Sequence, residues 1–190
     1  MKKTLLIAGA ALALISCNMK NPLLTESTAP FGAPEFDKIK NEHYLPAFEQ
    51  GIAEAKAEID AIVANQEEPT FENTIEAMEY AGQTLSKVAS IFYAVMEAHT
   101  DETKQQIAEQ ISPMMTEYSL SIMLNAKLFE RVKAVYEQRE LLNLGQEEAK
   151  LLEKTYKGFA DNGANLSAQD KEKYSKIQEE LSLATLKFGK

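Results

Sequence analysis

From Phe71 to Val95, the apolar residues Phe71, Ile75, Met78, Leu85, Val88, Phe92 and Val95 return at mostly three- and four-residue steps. Such steps fall on one face of a 3.6-residue helix, whereas a strand with one buried face alternates with period two. The stretch opens on Pro69-Thr70-Phe71-Glu72-Asn73-Thr74-Ile75. Pro69 disfavours helix before it, and the Thr70 hydroxyl is placed to accept a first-turn backbone N–H. Glu72 adds negative charge at the positive end of the helix dipole. The spacing predicts one helix from Thr70 to about Ala98, with the other helices packing on it.

The same pattern recurs on both sides. A helix is expected from about Glu42 to Asn65, with Leu45, Phe48, Ile52, Ala55, Ile59 and Ile62 inward and Pro46 in its first turn. The short connection from Asn65 to Pro69 predicts that the next helix returns antiparallel. Thr100 or Asp101 caps another helix with the face Ile107, Ile111, Met115, Tyr118 and Ile122. Pro113 is expected to kink or split it near Ser112. Asn125 reads as a cap for Leu128, Phe129, Val132, Val135 and Tyr136, and residues 147–162 place Leu152, Tyr156 and Phe159 inward. Asn162-Gly163 supplies a left-handed stop. Ser167 starts a last helix with the stripe Tyr174, Ile177, Leu181, Ala184 and Phe188, still running near Lys190 and suggesting an interrupted protein. The expected fold is all-α: an antiparallel array of about six or seven helices over residues 41–190. No repeat of 20–50 residues with matching positions points to a solenoid.

Composition agrees. With 190 residues, 45% hydrophobic and 26% charged, the chain has the size and content of one domain with a real core. No Trp, six Pro and eight Gly suit long helices better than a turn-rich sheet. The net charge of −9 and the absence of a basic stripe disfavour nucleic acid as a partner.

Met1-Lys2-Lys3 precedes an apolar run from Leu5 to Ile15. The run is too short to span a bilayer, which takes ~20 residues, and suits a secretory leader. Leu14-Ile15-Ser16-Cys17 resembles a bacterial lipobox. Residues 1–16 are thus expected to be a lipoprotein signal peptide, cut between Ser16 and Cys17, with lipid attached to Cys17 as membrane anchor. A buried Cys in an N-terminal helix is the alternative. Asn18 after the cysteine favours a cell-envelope lipoprotein of the outer membrane facing the periplasm. With no second Cys, no intrachain disulfide is possible. Residues 17–40, with Pro22, Pro30, Gly32 and Pro34, read as a tether and irregular lead-in, tacked onto the helices by Phe31, Phe36 and Ile39.

No catalytic group and no metal ligand can be assigned. His43 and His99 are the only histidines, and neither begins H-E-x-x-H. Glu67-Glu68 and Glu147-Glu148 are adjacent pairs, which do not share a helix face. No Gly-rich phosphate loop or G-x-S-x-G elbow is present. Tyr93, Tyr118, Tyr156 and Tyr174 fall at core spacing and read as packing. This chain alone is expected to bind no cofactor.

From Asn21 onward, segments such as Pro30-Phe31-Gly32-Ala33-Pro34, Glu42-His43-Tyr44-Leu45-Pro46 and Pro69-Thr70-Phe71-Glu72-Asn73-Thr74-Ile75 give the sequence a pattern that resembles the N-terminal part of the thimet oligopeptidase family of zinc metallopeptidases, in its bacterial peptidyl-dipeptidase (dipeptidyl carboxypeptidase) and oligopeptidase A branch. The carrying segments are Pro30-Phe31-Gly32-Ala33-Pro34 with Phe36-Asp37-Lys38-Ile39, and Glu42-His43-Tyr44-Leu45-Pro46-Ala47-Phe48-Glu49. Pro69 to Ala77, Leu124-Asn125 with Leu128-Phe129 and Arg131-Val132, and Tyr156-Lys157-Gly158-Phe159 leading to Asn162-Gly163-Ala164 follow in order. The resemblance implies that residues 41–190 are a helical N-terminal domain forming one wall of a channel for short peptides. It implies that zinc and the catalytic residues belong to a C-terminal region beyond Lys190, and that this chain alone is inactive. A non-catalytic helical lipoprotein that binds a partner or peptide is the alternative.

Overall fold

Thr70 starts its helix as expected. Its Oγ1 accepts the Asn73 N–H at 3.1 Å, and Asn73 Oδ1 accepts the Thr70 N–H at 2.9 Å. Two first-turn donors are thus satisfied reciprocally. The computed structural model describes residues 21–188, and the helices run α1 Asn41–Ala64, α2 Ala77–Tyr80, α3 Gln83–Ala98, α4 Glu102–Met123, α5 Ala126–Glu137, α6 Gln146–Asp161 and α7 Ala168–Phe188. A π-helical turn, Phe71–Glu76, leads into α2, and short 3₁₀ turns lie at Pro30–Gly32 and Arg139–Leu141. The fold is all-α, with no strand among the described residues. The leader and the lipid site at Ser16 and Cys17 lie outside the described residues.

The single helix expected from Thr70 to Ala98 is two pieces. Ala81 leaves the helical region and Gly82 turns left-handed at φ 76°. The break is anchored from α1: the Gly82 N–H donates to Glu58 Oε2 at 2.6 Å. A tertiary partner for the N–H of the buried Gly82 outweighs the local preference for continuing the helix. Pro46 also departs from expectation. His43 Nδ1 accepts the Lys40 N–H at 3.0 Å, so α1 starts at Asn41 and Pro46 falls in the second turn. Pro113 does not split α4, which continues from Glu102 to Met123 between α1 and α7. Asp101 caps it, accepting the Lys104 N–H at 2.8 Å, and Asn125 caps α5, accepting the Leu128 N–H at 3.1 Å.

Helix α1 is the spine, contributing to two cores. Tyr44, Phe48 and Ile52 meet Leu85, Val88 and Phe92 of α3 and Ile111 of α4. Ile59 and Ile62 meet Phe71, Ile75, Leu128, Val132, Leu152 and Phe159. Phe92 stands edge-on to Tyr44 at 4.9 Å and to Phe48 at 5.6 Å. The Gly82–Glu58 contact at one end and Phe92–Tyr44 at the other make α1 and α3 antiparallel, as the short connection predicts. Each fully buried side chain of this size contributes roughly 1.5–3 kcal/mol.

Of the three residues expected to tack down the lead-in, only Ile39 does so. Leu23 is completely buried in the first core, with Leu24 and Ile39 beside it, while Phe31 and Phe36 are exposed. Asn21 sets this up by donating from Nδ2 to the His43 carbonyl at 2.8 Å and accepting the Leu23 N–H at 3.0 Å.

Helix α7 lies against α4 on an unexpected face. Its half-buried residues are Lys171, Tyr174, Ser175, Gln178, Ser182 and Leu186. Of the expected apolar stripe only Tyr174 is among them; Ile177 is 61% exposed and Phe188 95%, and Leu181 is also exposed. The Ser- and Thr-rich side of the helix fits closely against α4, leaving the bulkier apolar side outward. No helix of the described residues is long and apolar enough to cross a membrane.

Candidate functional site

The seam between α4 and α7 is built from matched small polar residues. Ser112, Thr116 and Ser119 on α4 are spaced by four and three, as are Gln178, Ser182 and Thr185 on α7. Each set therefore occupies one helix face. Ser182 Oγ lies 2.7 Å from Ser112 Oγ and 2.9 Å from Thr116 Oγ1, a three-hydroxyl cluster that joins the helices. At one end Lys171 Nζ donates to the Leu124 carbonyl at 3.1 Å. Along this seam runs a groove of about 520 Å³, with Met115, Leu120, Met123 and Leu186 supplying apolar surface. Tyr93 lines it, and burial raises its phenol pKa. Tyr174 donates to Asn162 Oδ1 at 3.3 Å beside it. No Asp, Glu, Lys, Arg or His lines the groove, in a chain that is 26% charged.

The titratable groups with the clearest local roles among the described residues serve helix ends and ion pairs. His43 uses Nδ1 to start α1, and His99 is the C-cap of α3. Glu153, between Lys150 and Lys157 on α6, has its pKa lowered to about 2 by hydrogen bonds first from Lys150 and then from Lys157. This is an exposed ion cluster. Lys104 is buried and bonds the Asp101 carboxylate, whose pKa it lowers. Its carboxylate partner neutralises the charge across the α3–α4 turn.

Arg131 is the second buried cation. Its Nη1 donates to the carbonyls of Asn65 at 2.9 Å and Glu67 at 3.3 Å, and its Nη2 to Asn73 Oδ1 at 3.0 Å. It thereby ties α5 to the α1 exit and the Thr70 cap. Spacing alone does not single out Arg131, since it sits among the buried residues Leu128, Phe129 and Val132. The groove had a visible signal in the matched polar spacings, obscured by the stronger apolar stripe of α7.

The zinc implied by the resemblance does not fit these residues. Among the described residues, no three or more His, Cys, Asp and Glu side chains gather where they could hold a metal ion. The two histidines are engaged in separate helix ends, so no chemical step through a metal is derived for this chain.

Dipeptidyl carboxypeptidase of Escherichia coli (strain K12) is 42% identical over 169 residues, 89% of this chain and 25% of that protein. The Salmonella typhimurium (strain LT2) protein of the same name is 39% identical over the same shares of each. Oligopeptidase A of Salmonella typhimurium is 24% identical over 164 residues, 86% of this chain and 24% of that protein. These similarities support the thimet oligopeptidase family. No family model matches the chain. It spans about a quarter of the length of these curated relatives. The expected resemblance is supported by that similarity, and the α1–α7 array is all-α as the spacing predicts.

Proposed function

We propose that the chain is the N-terminal helical region of a zinc peptidase of the peptidyl-dipeptidase or oligopeptidase type, degrading short peptides in the cell envelope. The 42% identity to a dipeptidyl carboxypeptidase over 89% of the chain carries this reading. The α1–α7 array forms part of the channel wall, and the missing region holds the zinc and the catalytic groups. Zinc bound there would supply Lewis-acid chemistry, to which no described residue of this chain contributes a ligand. The outward apolar side of α7 supports the reading, because a further packing layer would bury it. Lipid on Cys17 holds the protein at the outer membrane.

The complete product of the reading frame tests this. It is expected to cleave a blocked tetrapeptide, to lose turnover on chelation and to regain it with zinc; the 190-residue chain alone is expected to show none. A complete product without H-E-x-x-H and without chelator-sensitive turnover would overturn the peptidase reading. The anchor is tested separately. Labelled palmitate is expected in the wild-type protein and absent from Cys17→Ser, and equal labelling of both would remove Cys17 as the lipid site.

A further inference from the structure

We propose that the α4–α7 groove is the face of this chain that meets peptide, holding an extended backbone through uncharged hydroxyl and amide groups. This rests on the peptidase reading above and adds to it which of several faces lines the channel.

The choice follows from charge. Three other depressions carry ionic side chains: Lys87, Glu26 and Glu35 beside the lead-in, Lys154 and Glu79 between α2 and α6, and Lys56 and Asp60 beside α1. A fixed charge in a wall selects for or against particular ligand side chains and strongly favours a charged ligand. The α4–α7 groove has none, so a phosphate, nucleotide or metal ion has no counter-charge there. What it offers is neutral donors and acceptors at spaced positions over an apolar floor. A peptide backbone presents neutral N–H and C=O groups at every residue, independent of sequence.

The groups available for such contact are specific. Ser112, Thr116 and Ser182 are consumed by their mutual cluster, and Thr185 Oγ1 donates to the Leu181 carbonyl at 2.9 Å. Asn162 and Tyr174 bond each other. Ser119 and Gln178 make no side-chain hydrogen bond to any described residue, and neither does the Tyr93 hydroxyl; all three line the groove. Gln178 brings two donors and an acceptor, Ser119 and Tyr93 one hydroxyl each. An uncharged wall also lets a peptide slide, as a channel serving many sequences requires.

The test is a nuclear magnetic resonance titration of the ¹⁵N-labelled chain, at a concentration where light scattering gives a monomer. The probe is a hexapeptide of Ala, Ser and Gly with both ends blocked. Saturable shifts are expected at residues 112–123 and 174–186, with affinity falling at least fivefold in Ser119→Ala/Gln178→Ala. Binding is expected to be unchanged in Glu79→Gln, which removes a charge from the α2–α6 depression. Absence of saturable shifts, shifts at another face, or equal affinity in the double variant would overturn the proposal. A groove silent to peptide that changes only as the chain self-associates is a copy-to-copy interface, which also overturns it. Any of these results leaves chelator-sensitive turnover by the complete product untouched, so the two readings fail separately.

Discussion

Arg131 carries three hydrogen bonds from a buried position without a carboxylate partner, and its Nε is buried with no acceptor. Replacing it with Met keeps much of the apolar stem but takes the side-chain donor from the Asn65 and Glu67 carbonyls and one of three donors from Asn73 Oδ1. Hydrogen bonds from a charged donor contribute about 1.5–3 kcal/mol. Urea unfolding of Arg131→Met is expected to show a loss of about that size, and Arg131→Lys to recover only part, because one ammonium cannot reproduce the planar fork. Asp101 makes a pH-dependent contribution. Its pKa is lowered from the ordinary 3.8, first by the Lys104 side chain and then by the Lys104 N–H. A depressed carboxylate pKa stabilises the folded state above the unfolded value and loses that contribution as pH falls through the folded value. Thermal unfolding should therefore show wild type most favoured over Asp101→Asn above pH 3.8, the difference closing at lower pH.

At the scale of elements, helix starts were legible because their chemistry is local. Thr70, Asp101 and Asn125 each satisfy a backbone N–H three residues on, and Ser167 Oγ does the same for Asp170 at 3.2 Å. The break at Gly82 was not legible, because its N–H partner is Glu58, 24 positions away. The burial of Leu23 likewise depends on a pocket assembled by α1 and α3. The candidate groove was legible only as two polar spacings; their meeting requires the α4–α7 contact. Helix crossings also decide what a glycine does. A Cβ on Gly51 of α1 would lie 3.0 Å from the Leu85 backbone Cα, whereas one on Gly158 of α6 meets nothing within 4 Å. Gly51→Ala is thus expected to destabilise by about 1–3 kcal/mol through overpacking. Gly158→Ala should stabilise by roughly 0.5–1 kcal/mol through helix propensity. Parallel denaturant curves check the opposite signs.

At the scale of the whole molecule, α7 joins a polar inner seam to an apolar outer side, reversing the usual placement. The hydroxyl cluster and the close fit of small residues hold α7 on α4, but they leave Ile177 and Phe188 outward, while the exposed Leu181 borders the groove. An apolar surface of this kind gains by association with any surface that excludes water from it. In a peptidase extending beyond this region, that gain would go to packing against the remainder; in the isolated chain it is open to a second copy. Light scattering is expected to show an average mass that rises with concentration for wild type and remains monomeric for Ile177→Asp/Phe188→Asp. Both side chains are exposed, so the double variant should unfold within about 0.5 kcal/mol of wild type per substitution. Its peptide affinity should also be kept, because neither residue lines the groove. If the variant still associates, the adhesive surface lies elsewhere; if it loses stability, α7 is held by its outer side as well as by the polar seam.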